Sequence, residues 1–317
     1  MPDLQSAAIA LDYGDAATDD LLKNLSGVAG DSERLWTVSD EGRTVECLRA
    51  AGAGFVLAEQ IPLDDWCDDI PGAGKSAECD LESIDLVGDR LWVCGSHCLV
   101  RRKPKAAGLL NDSIRARPSR NILAALDLGP DHQPRSNAVL PFDRKGSLRH
   151  ALKDDPYLAP FLDLPSKENG LDIEGMAVVD GRVFLGLRGP LLDSFAVIVT
   201  LDLSPRFHLR GYELSFLDLN GLAVRDLARW GNDLLILAGP VSDAHGMFRL
   251  YLWSPRSCTS IQTPTRLFSW PDSEEKPEGI CPLLRDGERG LLVLYDRPDV
   301  EKRIRETVYL ADWLTGL

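Results

Sequence analysis

One pattern recurs five times along the chain and limits the fold more than any other feature: a short apolar stretch, a Gly/Asp turn, then a strongly apolar strand. The copies begin at Ser26, Glu82, Glu174, Arg225 and Glu278. In the first four, the leading residue precedes the first apolar residue of the second strand (Leu35, Leu91, Val183, Leu234) by nine positions; in the fifth, Leu291 follows after thirteen. Turn pairs such as Gly88-Asp89, Asp180-Gly181 and Gly231-Asn232 supply the positive φ that short hairpin loops need, so each copy reads as a tight β-hairpin. Two more strand-like runs follow each hairpin, such as residues 195–203 and 208–217 after the third and 247–254 and 265–270 after the fourth. Four antiparallel strands per repeat compose a propeller blade.

The copies start 56, 92, 51 and 53 residues apart. The long interval leaves room for a sixth blade. Residues 121–128 and 136–142, however, already serve as the outer strands of the second repeat, and residues of about 144–170 read better as a helical or loop insertion. The expectation is an all-β fold in one domain, residues 1–317: a five-bladed β-propeller, with six blades as the alternative. Closure fits this count. The last repeat offers only three strands, ending in residues 306–313, and residues 6–13 provide an unassigned strand that would pair with it and remove two exposed edges.

Composition narrows the function classes. The chain is 44% hydrophobic and 26% charged, as a folded protein should be. Its net charge of −14 argues against a nucleic-acid partner, which normally meets a basic face. No apolar run is long enough to span a membrane and the first residues lack a basic signal-type start, so a cytoplasmic protein without a membrane partner is expected. The seven cysteines are an odd number; Cys94 and Cys98 are not followed by a second metal-ligand pair, and all seven read as reduced thiols.

In a propeller the first strand of each blade lines the channel and the second returns beside it, so the start of one and the end of the other share a face. The starts give Ser26, Glu82, Glu174, Arg225 (with Asp226) and Glu278; the ends give Asp40, Glu41, His97, Arg188 and Asp296. Three glutamates converging on a channel repel one another unless a cation or a protein counter-charge joins them. A bound ion such as Ca²⁺ held by Glu82, Glu174 and Glu278 is one solution. Arg225 as counter-charge is the other, and the plainer outcome is then an ion-pair network plugging the channel. A basic loop at about 99–120, with Arg101, Arg102, Lys103, Lys105, Arg115, Arg117 and Arg120, is the one basic island and is placed to receive an anion at the mouth.

The phrases at residues 81–97, 172–190, 221–240 and 276–284 resemble a bacterial family known as domain of unknown function 3616, over most of the chain. More distantly, the Glu-Gly and Glu-Ser starts resemble those of calcium-activated nucleotidases (apyrases), five-bladed propellers; that resemblance implies Ca²⁺ ligands at Ser26, Glu82, Glu174 and Glu278. Arg225 does not match, since a guanidinium cannot coordinate a metal. Three functions stay open at this point: a propeller binding a small, anionic ligand or ion at the channel mouth; a hydrolase of a phosphorylated or other anionic substrate, with Arg188 and Arg225 holding the anion and a Glu or His97 moving protons; and a scaffold for protein partners.

Overall fold

The computed structural model describes residues 5–67, 70–71, 78–104, 109–242, 246–256, 260–271 and 275–317; Lys105 and Cys258 lie outside the described residues. The fold is all-β, built from four-stranded antiparallel sheets in which the first strand of each is followed by its neighbours in order. The first sheet runs Leu25–Gly30, Arg34–Ser39, Thr44–Ala51, Gly54–Pro62; the second Leu81–Val87, Arg90–Gly95, Leu123–Leu128, Pro134–Val139. The third runs Asp172–Val179, Arg182–Gly189, Ala196–Leu203, Leu209–Leu217; the fourth Ala223–Trp230, Asp233–Gly239, Arg249–Trp253, Thr265–Ser269. A closing sheet joins Lys276–Arg285, Glu288–Asp296 and Val308–Thr315 to the N-terminal strand Gln5–Asp12. That last pair is antiparallel from Gln5↔Thr315 to Asp12↔Val308. A short parallel contact, Leu11↔Phe55 and Asp12↔Val56, then ties the closing sheet to the outer strand of the first.

Local chemistry explains the hairpins. At Asp180-Gly181 and Asp286-Gly287 both residues have positive φ (50° and 75°; 51° and 80°), the two-residue loop whose twist matches the flanking strands. Packing follows from strand alternation. Leu91 and Val93 face the first sheet, where they meet Trp36, Val38 and Val45. Their neighbours Trp92 and Cys94 face the third, against Met176, Val178 and Leu185. The same alternation continues through the fourth and closing sheets, and Leu292 and Leu294 complete the cycle against Val28 and Leu35 of the first. Trp36 and Trp92 are thus core residues, 2% and 7% exposed.

Two segments depart from the sheet pattern, and both lie near one end of the inner strands. Residues 99–116, which composition marks as a loop, contain a hairpin of Leu99–Arg101 with Ile114–Ala116. Residues 144–170 hold a short helix, Leu148–Leu152, started by the Ser147 side chain accepting from His150 N at 3.2 Å, and 3-10 turns at Ala159–Phe161 and Ser166–Glu168. Hairpin and turn are joined by the Leu99↔Pro165 bridge and an Arg101–Glu168 ion pair. No helix among the described residues is long and apolar enough to cross a membrane.

Candidate functional site

Each first strand carries a β-bulge at the same place. The register slips between Leu25 and Gly27, Leu81 and Ser83, Ile173 and Gly175, Val224 and Asp226, and Pro277 and Ile280. The residue left over is Ser26, Glu82, Glu174 or Arg225 in turn, and Glu278 with Gly279 in the closing sheet. A bulge re-aims a side chain out of the ladder, and these are the residues that line the channel. Carboxylate oxygens of Glu82, Glu174 and Glu278 come within 4.8 Å of one another.

Two arginines tie this ring together. Arg225 Nη2 lies 2.6 and 2.7 Å from the two oxygens of Glu278, and its Nε lies 2.9 Å from Glu174 Oε2, an ion-pair contact without hydrogen-bond alignment. Arg188 pairs with the other oxygen of Glu174 and with Asp172. The oxygens of Glu174 and Glu278 are therefore engaged by guanidinium groups, and the Ser26 hydroxyl donates to Val38 O and Leu81 O. The three glutamates expected as Ca²⁺ ligands are thus close enough together to share a cation, but Glu174 and Glu278 are already paired with arginine, and of the three only Glu82 has neither ion pair nor hydrogen bond among the described residues.

The ring floors a well of about 260 Å³, which Ser26, Asp40, Glu41, Glu82, Glu174, Arg188, Arg225, Glu278 and Asp296 all line. Nine carboxylates and five cationic side chains face it. Crowding has the expected effect. Burial, reinforced by Asp80 and Asp296, pushes Asp40 up to about 8; burial, reinforced by Asp80 and Glu174, raises Glu82 well above the usual carboxylate range. Burial lifts Glu174 and Glu278 to about 7 despite the arginines that oppose it.

Two expected site residues are elsewhere. His97 is 1% exposed and off the well. It sits at φ 56°, a turn that takes its ring out of line with the strand ends, and burial beside Arg149 lowers it to about 3. Asp226 follows the bulge and faces away from the mouth, accepting from Leu227 N and Ile280 N at 2.8 Å and from Ser83 Oγ at 3.3 Å. Conversely, Asp80 and Glu78 line the well but escaped the sequence reading. The step Asp80-Leu81-Glu82 matches Asp172-Ile173-Glu174, and that repeated Asp-x-Glu was the signal available.

Above the well lies a wider cleft of about 1170 Å³ between the hairpin of Leu99–Arg101 with Ile114–Ala116 and the Ser166–Glu168 turn; well and cleft share Glu41, Glu78, Val100, Arg120, Ser166 and Lys167. Seven cationic side chains and three carboxylates line the cleft. Arg101 is paired with Glu168, Arg117 with Glu78, and Arg120 with Glu78 and Asp80. Arg102, Lys103 and Arg115 line the same cleft with no ion pair among the described residues. Cys94 and Cys98 form no joint site: Cys94 Sγ bonds Gly95 O at 3.3 Å, whereas Cys98 Sγ accepts from Arg120 Nη1 at 3.0 Å.

The family described as protein of unknown function (DUF3616) matches residues 24–312. The chain belongs to this family. Every ring residue of this DUF3616 chain falls inside the match. No curated protein matches it. Solved structures are similar to it in architecture. Myxococcus xanthus glutaminyl cyclase is 10% identical, with 98% of this chain and 97% of that one covered and a TM-score of 0.47. The PQQ-bound aldose sugar dehydrogenase of Streptomyces coelicolor is 11% identical, with 99% of each chain covered and a TM-score of 0.41. The beta-propeller domain of Myceliophteria thermophila Cps50 (Swd1) is 12% identical, with 96% and 99% covered and a TM-score of 0.36.

Proposed function

We propose that residues 1–317 are one five-bladed propeller that binds a small anionic ligand at the mouth of its central channel. The cyclic packing of first strands, each on the next and the closing sheet's on the first sheet's, supports the count. One observation carries the binding reading: an arginine-rich hairpin roofs the well and shares its wall. Strand alternation puts Val100 and its cross-strand partner Arg115 on one face of that hairpin, and two residues along each strand, Arg102 and Arg117, on the same face. Val100 lines both cavities, so this row of guanidinium groups hangs over the mouth. Arg117 is neutralised by Glu78, which leaves Arg102 and Arg115 to meet an anion.

A ligand that binds only the folded state raises its melting temperature with concentration. Inorganic phosphate at low ionic strength should do so for the wild type and not for the Arg102→Glu/Arg115→Glu variant, whose changes are at exposed positions. Equal shifts in both proteins, or no shift in either, would contradict the reading. Hydrolysis of an anionic substrate is the second reading. It is favoured by Asp40 and Glu82, whose raised pKa values keep proton donors beside the cations at neutral pH.

A further inference from the structure

Along one path the cleft and the well carry opposite surpluses, of basic side chains outside and acidic ones inside. Outside, cations outnumber carboxylates by seven to three; inside, carboxylates outnumber cations by nine to five. The inner surplus is also under-used. Glu82 makes no hydrogen bond or ion pair among the described residues, and Asp40 Oδ1 is buried without a partner. An occupant spanning both would turn its anion outward and its hydrogen-bond donors inward.

We infer, on the strength of the binding reading above, that the ligand is a phosphomonoester of a hydroxylated compound, with the phosphate on Arg102 and Arg115 and the hydroxyl-bearing part directed down toward Asp40 and Glu82. Charge selects the phosphate. A phosphomonoester carries between one and two negative charges at neutral pH and three acceptor oxygens, enough for two guanidinium forks, whereas a carboxylate fills one. Volume selects the rest. A cleft of about 1170 Å³ over a well of about 260 Å³ leaves most of its space to an organic part. The chemistry of the well selects hydroxyls, because a hydroxyl can donate to a carboxyl oxygen and accept from a protonated carboxyl, whereas a purely apolar group would leave Asp40 and Glu82 desolvated and unpaired.

The test is titration calorimetry of the full chain with three probes: glucose 6-phosphate, phenyl phosphate and gluconate. Glucose 6-phosphate should bind about tenfold or more tightly than either of the others, the scale of one or two lost charged hydrogen bonds. The Arg102→Gln/Arg115→Gln variant should lose about tenfold or more on glucose 6-phosphate. The Glu82→Gln/Asp40→Ala variant should weaken glucose 6-phosphate and leave phenyl phosphate unchanged, with melting curves verifying that both variants fold. Gluconate binding as tightly as glucose 6-phosphate would overturn the phosphate assignment and leave the anion-binding reading standing. Phenyl phosphate matching glucose 6-phosphate would overturn the hydroxylated part. If none of the three binds, the inference and the reading beneath it fall together.

Discussion

Arg225 touches two of the three ring glutamates at once, and both it and they are nearly sealed from water (5%, 1% and 6% exposed for Arg225, Glu174 and Glu278). Removing one partner of a buried ion pair costs about 3–5 kcal/mol, because the charge left behind is desolvated and unpaired. Arg225→Ala should therefore lose about that much stability at neutral pH in calorimetry or urea unfolding. The pH dependence has a definite sign. Glu174 and Glu278 are held near 7 even with the arginine in place, so the folded state keeps protons that the unfolded chain releases above about 4.5. Stability then falls as pH rises through that window, and the loss is steeper once Arg225 is gone. Lowering the pH toward 5, or adding Ca²⁺ as a substitute cation, should narrow the gap to wild type; a variant that melts like wild type at every pH would show that Arg225 does not balance the ring. The ring itself was legible in the sequence because five repeats align it. The two side chains that misled do so for local reasons: the His97 backbone leaves the strand direction, and Asp226 lies one residue past a bulge and so on the other side.

The bulge is the element that turns an ordinary channel-lining strand into a site. After three of the five bulged positions stands a glycine, and at Gly175 the reason is close approach: a Cβ there would lie 2.8 Å from Leu227 N and 2.9 Å from the Asp226 carbonyl carbon. At the other two positions Ser83 and Asp226 use their side chains to bond neighbouring inner strands, Ser83 Oγ accepting from Met176 N and Asp226 from Ile280 N, each at 2.8 Å. Gly175→Ala should push the third and fourth inner strands apart, destabilise the fold by about 1–3 kcal/mol as overpacking does, and disturb Arg225 on the adjoining strand. An alanine variant with unchanged unfolding would mean the strands part without cost. A bulge leaves only a one-residue slip in the hydrophobic pattern, so its position could not be read from spacing. The hairpin over the mouth was equally hidden, since strands of only three residues, each with one arginine beside two apolar residues, are too short to show an alternating pattern.

At the scale of the molecule, closure depends on the pairing of residues near the two ends of the chain. That arrangement was readable, because the last repeat is one strand short and residues 6–13 have no repeat of their own; the observed strand is Gln5–Asp12. Deleting residues 1–12 would strip Ile9 and Leu11 from the core and leave the Val308–Thr315 edge open. The shortened chain should melt earlier and associate with rising concentration in light scattering. Unchanged melting and a single size at all concentrations would argue that closure comes from elsewhere. Inside the ring, Ser83 of the second sheet and Asp226 of the fourth bond at 3.3 Å although their strands are not neighbours, which draws the channel to a waist just below the glutamates. The cavity beyond that waist shares no lining residue with the well. Toward the waist, then, the well is a blind end. A molecule entering from the hairpin side would find no through-passage at the waist, so that its way in would also be its way out and anything lodged on the hairpin would slow departure as well as arrival.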